Sequence, residues 1–444
     1  MTAIPFVSTG AYPVRPGNRL RPLIDGEPAF RRICQAVEAA RHSVWVCLAF
    51  VWPEFEMPDG RGSFFDVLER AAQRGLDVRL IPWRPDAGPA DWLRNAFWGS
   101  AEHRAALVER RSRLRIRWDR AQPGFCQHQK IWLMDAGRDG ETAFVGGINQ
   151  NPHSMVAPGH RGEGQNHDVY LEIRGPAVVD VHHNFAQRWN EASERNASGG
   201  TWREDADLAF PERIPPVQGD STVQIQRTIH KGRYADGRAT PGGKVHDIWS
   251  GERSILDQYG AAIGAARRTI YIENQYLDFP DIVRWLREAL TRSVDAIVLT
   301  PLENLAEDLD ASAPERATFL KARAALREFE RFSFVGIAGL GDDGARKTVY
   351  VHAKLMLIDD EWATIGSANF HRGSLTGHAE MNASFYDPPV VKALRCQLFA
   401  EHLGEDTSHL GDRAALRRYR EIAAENRLRK IAGDHNWQGL AFSL

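Results

Sequence analysis

A histidine, a lysine and an aspartate recur in this chain at one spacing, 224 positions apart. "HQKIWLMD" runs from His128 through Lys130 to Asp135, and "HAKLMLID" runs from His352 through Lys354 to Asp359. Each copy then reaches a glycine turn and an asparagine, Gly146-Gly147-Ile148-Asn149 and Gly366-Ser367-Ala368-Asn369. The flanks repeat as well. "FRRICQAVEAARHSVWVCLAFVW" corresponds to "ILDQYGAAIGAARRTIYIENQYL", and "VLERAAQRGLDVRLIPW" to "WLREALTRSVDAIVLTP". Self-similarity at this scale is a domain duplication. It predicts two similar α/β units, because each copy alternates helical periodicity with β-branched strands. The Gly-, Pro- and charge-rich stretch from Glu191 to Asp220 lacks apolar periodicity and predicts the connection, with Trp202 and Phe210 packing it onto the surface. The boundary is placed near residue 205, giving halves 1–205 and 206–444.

Side chains two apart on a strand share a face, so each histidine points with its lysine, while the aspartate seven positions on falls on the other face. His128, Lys130, His352 and Lys354 are therefore read as the reactive groups, and Asp135 and Asp359 as structural anchors. Two imidazoles suit phosphoryl transfer, one neutral and nucleophilic, the other a proton donor. Two lysines supply charge for the non-bridging oxygens, Asn149 and Asn369 add amide donors, and the glycines are expected to let backbone approach the phosphate. With that charge in place no metal is required. His153, His160 and His167 lie in a Gly-rich loop whose sequence holds no clustered carboxylate or cysteine, so no metal site is expected there. A later acid follows each copy, Asp168 and Glu380, of the kind that orients an imidazole.

The copies differ in two places. Ten residues separate Asp135 from Gly146, but six separate Asp359 from Gly366. Asp139-Gly140 is a hairpin-turn signal, so the four extra residues are expected to lengthen the hairpin by two per strand. Asn149 to Asp168 is also longer than Asn369 to Glu380. Its "QNPHSMVAPGHRGEGQN" is a candidate lid, with Met155 and Val156 available to touch lipid or simply exposed. Trp52, Trp83, Trp98 and Trp132 are divided between a substrate groove and the core.

Across its 444 residues the formal net charge is −2, which excludes a global basic field for nucleic acid; only "RRSRLRIRWDR" (110–120) hints at a basic cleft. The four scattered cysteines read as free thiols. No Sec-type leader and no stretch near the roughly 20 apolar residues of a bilayer span is found. A cytoplasmic or peripheral protein and one exported by another route would read alike, so the site of action is not assigned.

The repeated HxKxxxxD and G[GS]xN pattern resembles that of the phospholipase D superfamily, most like a bacterial phospholipase D. The resemblance extends over "IYIENQY" (270–276), "GSANFHRGSL" (366–375) and "HDVYLEIRGPAVVDVHHNFAQRWN" (167–190). It implies two α-β-α sandwich halves related by pseudo-two-fold symmetry, with one active site between them. It further implies a covalent phosphohistidine intermediate without metal or other cofactor. By resemblance the catalytic set is His128, Lys130, Asp135, His352, Lys354, Asp359, Asp168 and Glu380. His128 would be the nucleophile and His352 the acid-base. Lys130, Lys354, Asn149 and Asn369 would hold the phosphate. The implied activity is hydrolysis of glycerophospholipids at a membrane surface, with transfer to alcohols. The alternatives are a phosphatidyltransferase of the cardiolipin or phosphatidylserine synthase kind, and a nuclease of the same superfamily. The expected partners are phospholipid and a water or alcohol acceptor, with no nucleic acid, no transmembrane segment and a monomeric chain.

Overall fold

In the computed structural model, which describes residues 4–85, 94, 96–121, 123–203, 206–301 and 313–444, one strand order is built twice. In the first half Arg15–Ile24 pairs antiparallel with Val169–Arg174, followed by Thr142–Gly146, Ile131–Met134 and Ser43–Leu48. Asp77–Pro82 and Arg115–Arg117 then add in parallel, and Thr201–Trp202 closes the edge. In the second half the order is Ser221–Ile229, Glu380–Tyr386, Trp362–Gly366, Lys354–Ile358, Thr269–Asn274, Asp295–Leu299, Phe332–Leu340 and Ala441–Ser443, with the same orientations. Arg15–Ile24 also pairs with Ser221–Ile229, joining the sheets at equivalent edges. The proposed boundary near 205 lies outside the described residues. The chain start crosses over: Val7 N donates to Gln258 Oε1 at 3.1 Å and Thr9 Oγ1 to Asp257 at 2.6 Å, so residues 4–9 pack on the second half.

The layers follow from strand periodicity. In Ser43–Leu48, Val44, Val46 and Leu48 face the helices Gly26–Ala39 and Phe64–Gln73, while Trp45 and Cys47 face inward. In Lys354–Ile358, Met356 and Ile358 face Ser254–Ala265 and Pro280–Thr291, while Leu355 and Leu357 face inward. The two inward faces, with Val178–Asn190 and Pro388–Leu403 between them, form one shared core. Both sheets are thus buried on both faces, which is why their strands read as nearly continuous apolar runs.

The hairpins carrying the two motifs are superimposable in register. Ile131 pairs with Val145 and Met134 with Thr142; Leu355 pairs with Ile365 and Ile358 with Trp362. The four extra residues of the first copy therefore do not lengthen its strands. They form a wider loop, closed by Arg138 N to Asp135 O, Glu141 N to Arg138 O and Gly137 N to Glu141 Oε1. A local turn can absorb the insertion without disturbing a ladder whose every position is packed on both sides.

Asp135 and Asp359 sit at the turn ends of these strands, both left-handed at φ +55° and +56°. Asp135 accepts from the backbone N–H groups of Arg41, His42 and Ser43, and Asp359 from those of Arg267, Arg268 and Thr269 at 2.7–2.9 Å. They pin the start of the neighbouring strand, contacts of the anchoring kind that strand parity predicts for them. Asp359→Ala strands three donors around a buried site, and the net loss is about 2–3 kcal/mol for charge-assisted bonds. Guanidinium unfolding should show it as a lower midpoint, with turnover per folded molecule changed only a few-fold. An unshifted midpoint with turnover lost would return Asp359 to the chemistry.

Candidate active site

His128 enters its strand beside the other half of the chain. Its N–H donates to Ala379 O at 2.9 Å, and Gln127 bridges Ala379 in parallel. His352 does the same in reverse: its N–H donates to His167 O at 2.8 Å, while Val351 pairs with His167. The residue after each of these partners is an acid. The acids therefore cross. His128 Nδ1 lies 3.0 Å from Glu380, and His352 Nδ1 lies 2.5 Å from Asp168.

The crossed contacts set the tautomers. His128 Nδ1 faces only acceptors, the Glu380 carboxylate and Ser367 O at 3.1 Å, so it carries the proton. The Nε2 lone pair is left for the cleft. Glu380 is held by the hydroxyls of Ser367 and Ser374, each at 2.5 Å, and burial raises its carboxyl above the usual range. Gln129, between the histidine and lysine, donates to Glu380 O and accepts from the buried guanidinium of Arg188, which also meets Asp119.

Both lysine ammonium groups are buried. Lys130 Nζ donates to His128 O at 2.8 Å and lies 5.8 Å from the centre of the Phe50 ring. Lys354 Nζ donates to His352 O and to Gln275 Oε1 at 3.4 Å. Burial, and for Lys354 the neighbouring Lys130 charge, pulls Lys130 down to about 8 and Lys354 to about 7. Burial and these same lysines push His352 down to about 4 and His128 well below its ordinary value. Desolvation outweighs the two carboxylates, so the free site holds two neutral imidazoles beside two readily deprotonated lysines.

His128, His352, Asn149 and Asn369 line a cavity of about 820 Å³. The side-chain oxygens of both asparagines are buried without a protein partner. Phe50, Trp52, Trp83, Tyr276 and Tyr350 form aromatic walls. Of the four tryptophans singled out from sequence, Trp52 and Trp83 line the cleft, Trp132 is core, and Trp98 packs on His103. His371 and His378 also line it and escaped the sequence analysis, because neither lies in a repeated pattern. His378 Nδ1 accepts from Cys126 N, and burial lowers the ring to about 3.

The motif glycines have a different role from the expected one. A Cβ on Gly146 would lie 2.4 Å from Val169 O, and one on Gly147 would lie 2.3 Å from Asp168 Oδ1. They make room for the adjoining strand and for the carboxylate behind His352. In the second copy Ser367 occupies the position of Gly147 and bonds Glu380 instead.

The 150–167 segment is not a free lid. Val156 is buried and Met155 packs against the first half's outer core. Gly159 N donates to Glu401, Gly162 N to Leu340 O, and Asn166–His167 pairs with Tyr350–Val351. Of the six arginines in 110–120, Arg110, Arg115, Arg117 and Arg120 pair with Asp66, Asp77, Asp207 and Glu194, which offsets much of that stretch's charge. Cys34, Cys47, Cys126 and Cys396 are free thiols. Among the described residues no helix is long and apolar enough to cross a membrane.

Two family patterns match the chain, the cardiolipin synthase PLD-like domain over residues 33–189 and 259–402 and phospholipase D over residues 159–303. The chain belongs to the phospholipase D superfamily. Its relatives include a cardiolipin synthase of Listeria welshimeri, 23% identical over 386 residues, covering 85% of this chain and 67% of that protein. Cardiolipin synthase A of Pseudomonas entomophila is 27% identical over 371 residues, covering 82% and 64%. Phospholipase D alpha 3 of Arabidopsis thaliana is 26% identical over 331 residues, covering 54% and 40%. The chain thus spans about two thirds of the bacterial relatives' length. The crystal structure of phosphatidylserine synthase from Haemophilus influenzae shares the fold, with a TM-score of 0.53 at 10% identity over 93% of this chain and 94% of that one.

Two outcomes are expected of this superfamily site. Gly147→Ala should displace Asp168 and lower turnover at least ten-fold, on the order of an orienting hydrogen bond lost, while circular dichroism stays native; unchanged turnover would mean that Asp168 does not orient His352. Sulfate, whose charge is constant between pH 6 and 9, should bind more weakly as pH rises through 7 to 8, where the lysines lose their protons. Calorimetry at pH 8.5 in buffers of different ionisation enthalpy should show proton uptake on binding. Affinity independent of pH would remove the lysines from anion binding.

Proposed function

We propose that this protein is a phosphatidyltransferase that moves a phosphatidyl group between alcohols through a phosphohistidine. The crossed pairs His128–Glu380 and His352–Asp168 on one cleft carry the chemistry, since they leave two Nε2 atoms free on the same space. Cardiolipin synthases among the relatives favour transfer over the hydrolysis that the sequence resemblance put first. The aromatic walls suit an acylglycerol body beside the phosphate.

His128 Nε2 attacks phosphorus and its bond to the leaving alcohol's oxygen breaks. His352, protonated as the phosphodiester's negative charge enters, supplies the proton to that oxygen. Glu380 stabilises the charge that develops on His128. The acceptor alcohol then yields its proton to His352 and attacks the phosphohistidine, restoring His128. Lys130 and Lys354 are held protonated by the bound phosphate and share its oxygens with the amides of Asn149 and Asn369. Water as acceptor would give phosphatidic acid, so hydrolysis is the same sequence with a smaller nucleophile.

Vesicles of phosphatidylglycerol should yield diphosphatidylglycerol and glycerol in excess over phosphatidic acid by mass spectrometry. Predominant phosphatidic acid would establish the hydrolase instead, and inertness towards phospholipids with cleavage of oligonucleotides would establish the nuclease. His128→Ala and His352→Ala should each reduce turnover by several orders of magnitude, because the pair acts as a unit. Phosphate trapped on His352 rather than His128 would reverse their roles.

A further inference from the structure

Behind His352, outside the cleft, lies a second histidine–carboxylate cluster that the transfer chemistry does not use. His160 and His167 come from the loop after Asn149, Asp25 from the turn before the helix Gly26–Ala39, and Glu401 from the helix Pro388–Leu403. One ligand-capable atom from each lies within 4.8 Å of the others. The acids nearest these histidines in sequence, Glu163 and Asp168, are not among the clustered groups; the fold brings two others from distant segments, one from each half.

Two atoms that face into the cluster, His160 Nε2 and Asp25 Oδ2, are left unpaired among the described residues. Asp25, His160 and His167 are completely buried. His160 Nε2 lies 3.4 Å from Asp25 Oδ2 and 3.3 Å from Glu401 Oε1, yet among the described residues neither His160 Nε2 nor Asp25 Oδ2 has a hydrogen-bond partner. Ligands about 2.0–2.1 Å from a tetrahedral ion sit about 3.3–3.4 Å apart along each edge of the tetrahedron. His167 presents Nδ1 to this space, 2.9 Å from Asp25 Oδ1, and turns Nε2 to Glu273 at 3.0 Å. A ligating imidazole characteristically gives its other ring N–H to a carboxylate, which fixes its orientation. Glu273 is itself held by the Tyr271 hydroxyl at 2.7 Å. Burying the unpaired Asp25 Oδ2 is costly, and a dication bound by neutral imidazoles removes that cost.

We propose that Asp25, His160, His167 and Glu401 form a structural site for a divalent first-row transition ion of the zinc class, binding the two halves together beneath the cleft. The mixed nitrogen and oxygen donors favour such an ion over calcium or magnesium. His167 O receives the N–H groups of His352 and Ala353, and Asp168 follows it in the chain. The ion would thus hold the segment that supports and orients His352 without taking part in phosphoryl transfer.

The test uses the full chain with any affinity tag removed. Elemental analysis by plasma mass spectrometry should find about one zinc-class ion per chain. Dipicolinate treatment should lower the melting temperature, and added Zn²⁺ should restore it. His160→Ala and Glu401→Gln should each cut bound metal at least about ten-fold and make melting insensitive to the chelator. Should either variant fail to fold, Co²⁺ added to the chelator-treated native chain provides the second measurement, through the intense visible bands of tetrahedral coordination. Metal-free native protein whose melting does not respond to Zn²⁺ would overturn the proposal, leaving the cluster a protonated ion network. Calcium or magnesium alone, full metal content in folded His160→Ala, or octahedral Co²⁺ bands would overturn it equally.

Discussion

Each motif histidine, His128 and His352, is held by a carboxylate from the other half of the chain, and much of the site's architecture serves that crossing. Short parallel backbone bridges at Gln127–Ala379 and Val351–His167 set the register, so that the next residue on each partner strand, Glu380 or Asp168, reaches Nδ1. Gly147 is small because Asp168 occupies the space a side chain would take, and Ser367 is a hydroxyl because Glu380 needs a donor. Neither half supplies both the motif histidine and the acid that bonds it. A duplicated domain therefore works only as a closed dimer within one chain, and the shared inward core is what closes it.

Within that frame electrostatics is governed by desolvation. Two lysines and two histidines are drawn into one buried space, and two carboxylates do not offset the penalty. The result is neutral imidazoles and lysines whose affinity for protons is lowered, Lys354 to about 7. On the proposed function, an entering phosphodiester would supply negative charge, coupling binding to protonation of the lysines.

Much of the fold was legible because local rules agree with the tertiary arrangement. Alternation along Ser43–Leu48 and Lys354–Ile358 marks strands buried on both faces, and the repeat predicts the matching sheet orders. Parity along the motif separated His and Lys from the anchoring Asp135 and Asp359. Other features were hidden for physical reasons. The four extra residues after Asp135 loop out because strand packing tolerates no slip, although composition equally allowed a longer hairpin. Met155 and Val156 read as exposed in a polar segment but are buried where that segment wedges between the halves. His371, His378, Asp25 and Glu401 carry no local signal, since their neighbours are distant in the chain.

By itself the sequence determined the duplication, the strand character of each motif and the identity of the paired histidines, lysines, asparagines and acids, because these depend on residue type and short spacing. Only the tertiary structure decided which acid serves which histidine, that the motif glycines make room for protein rather than phosphate, and that histidines of a polar loop meet carboxylates at the seam. The first and last rest on packing between segments more than 100 residues apart and the second on an adjoining strand about twenty residues on, and no periodicity within a segment encodes such contacts.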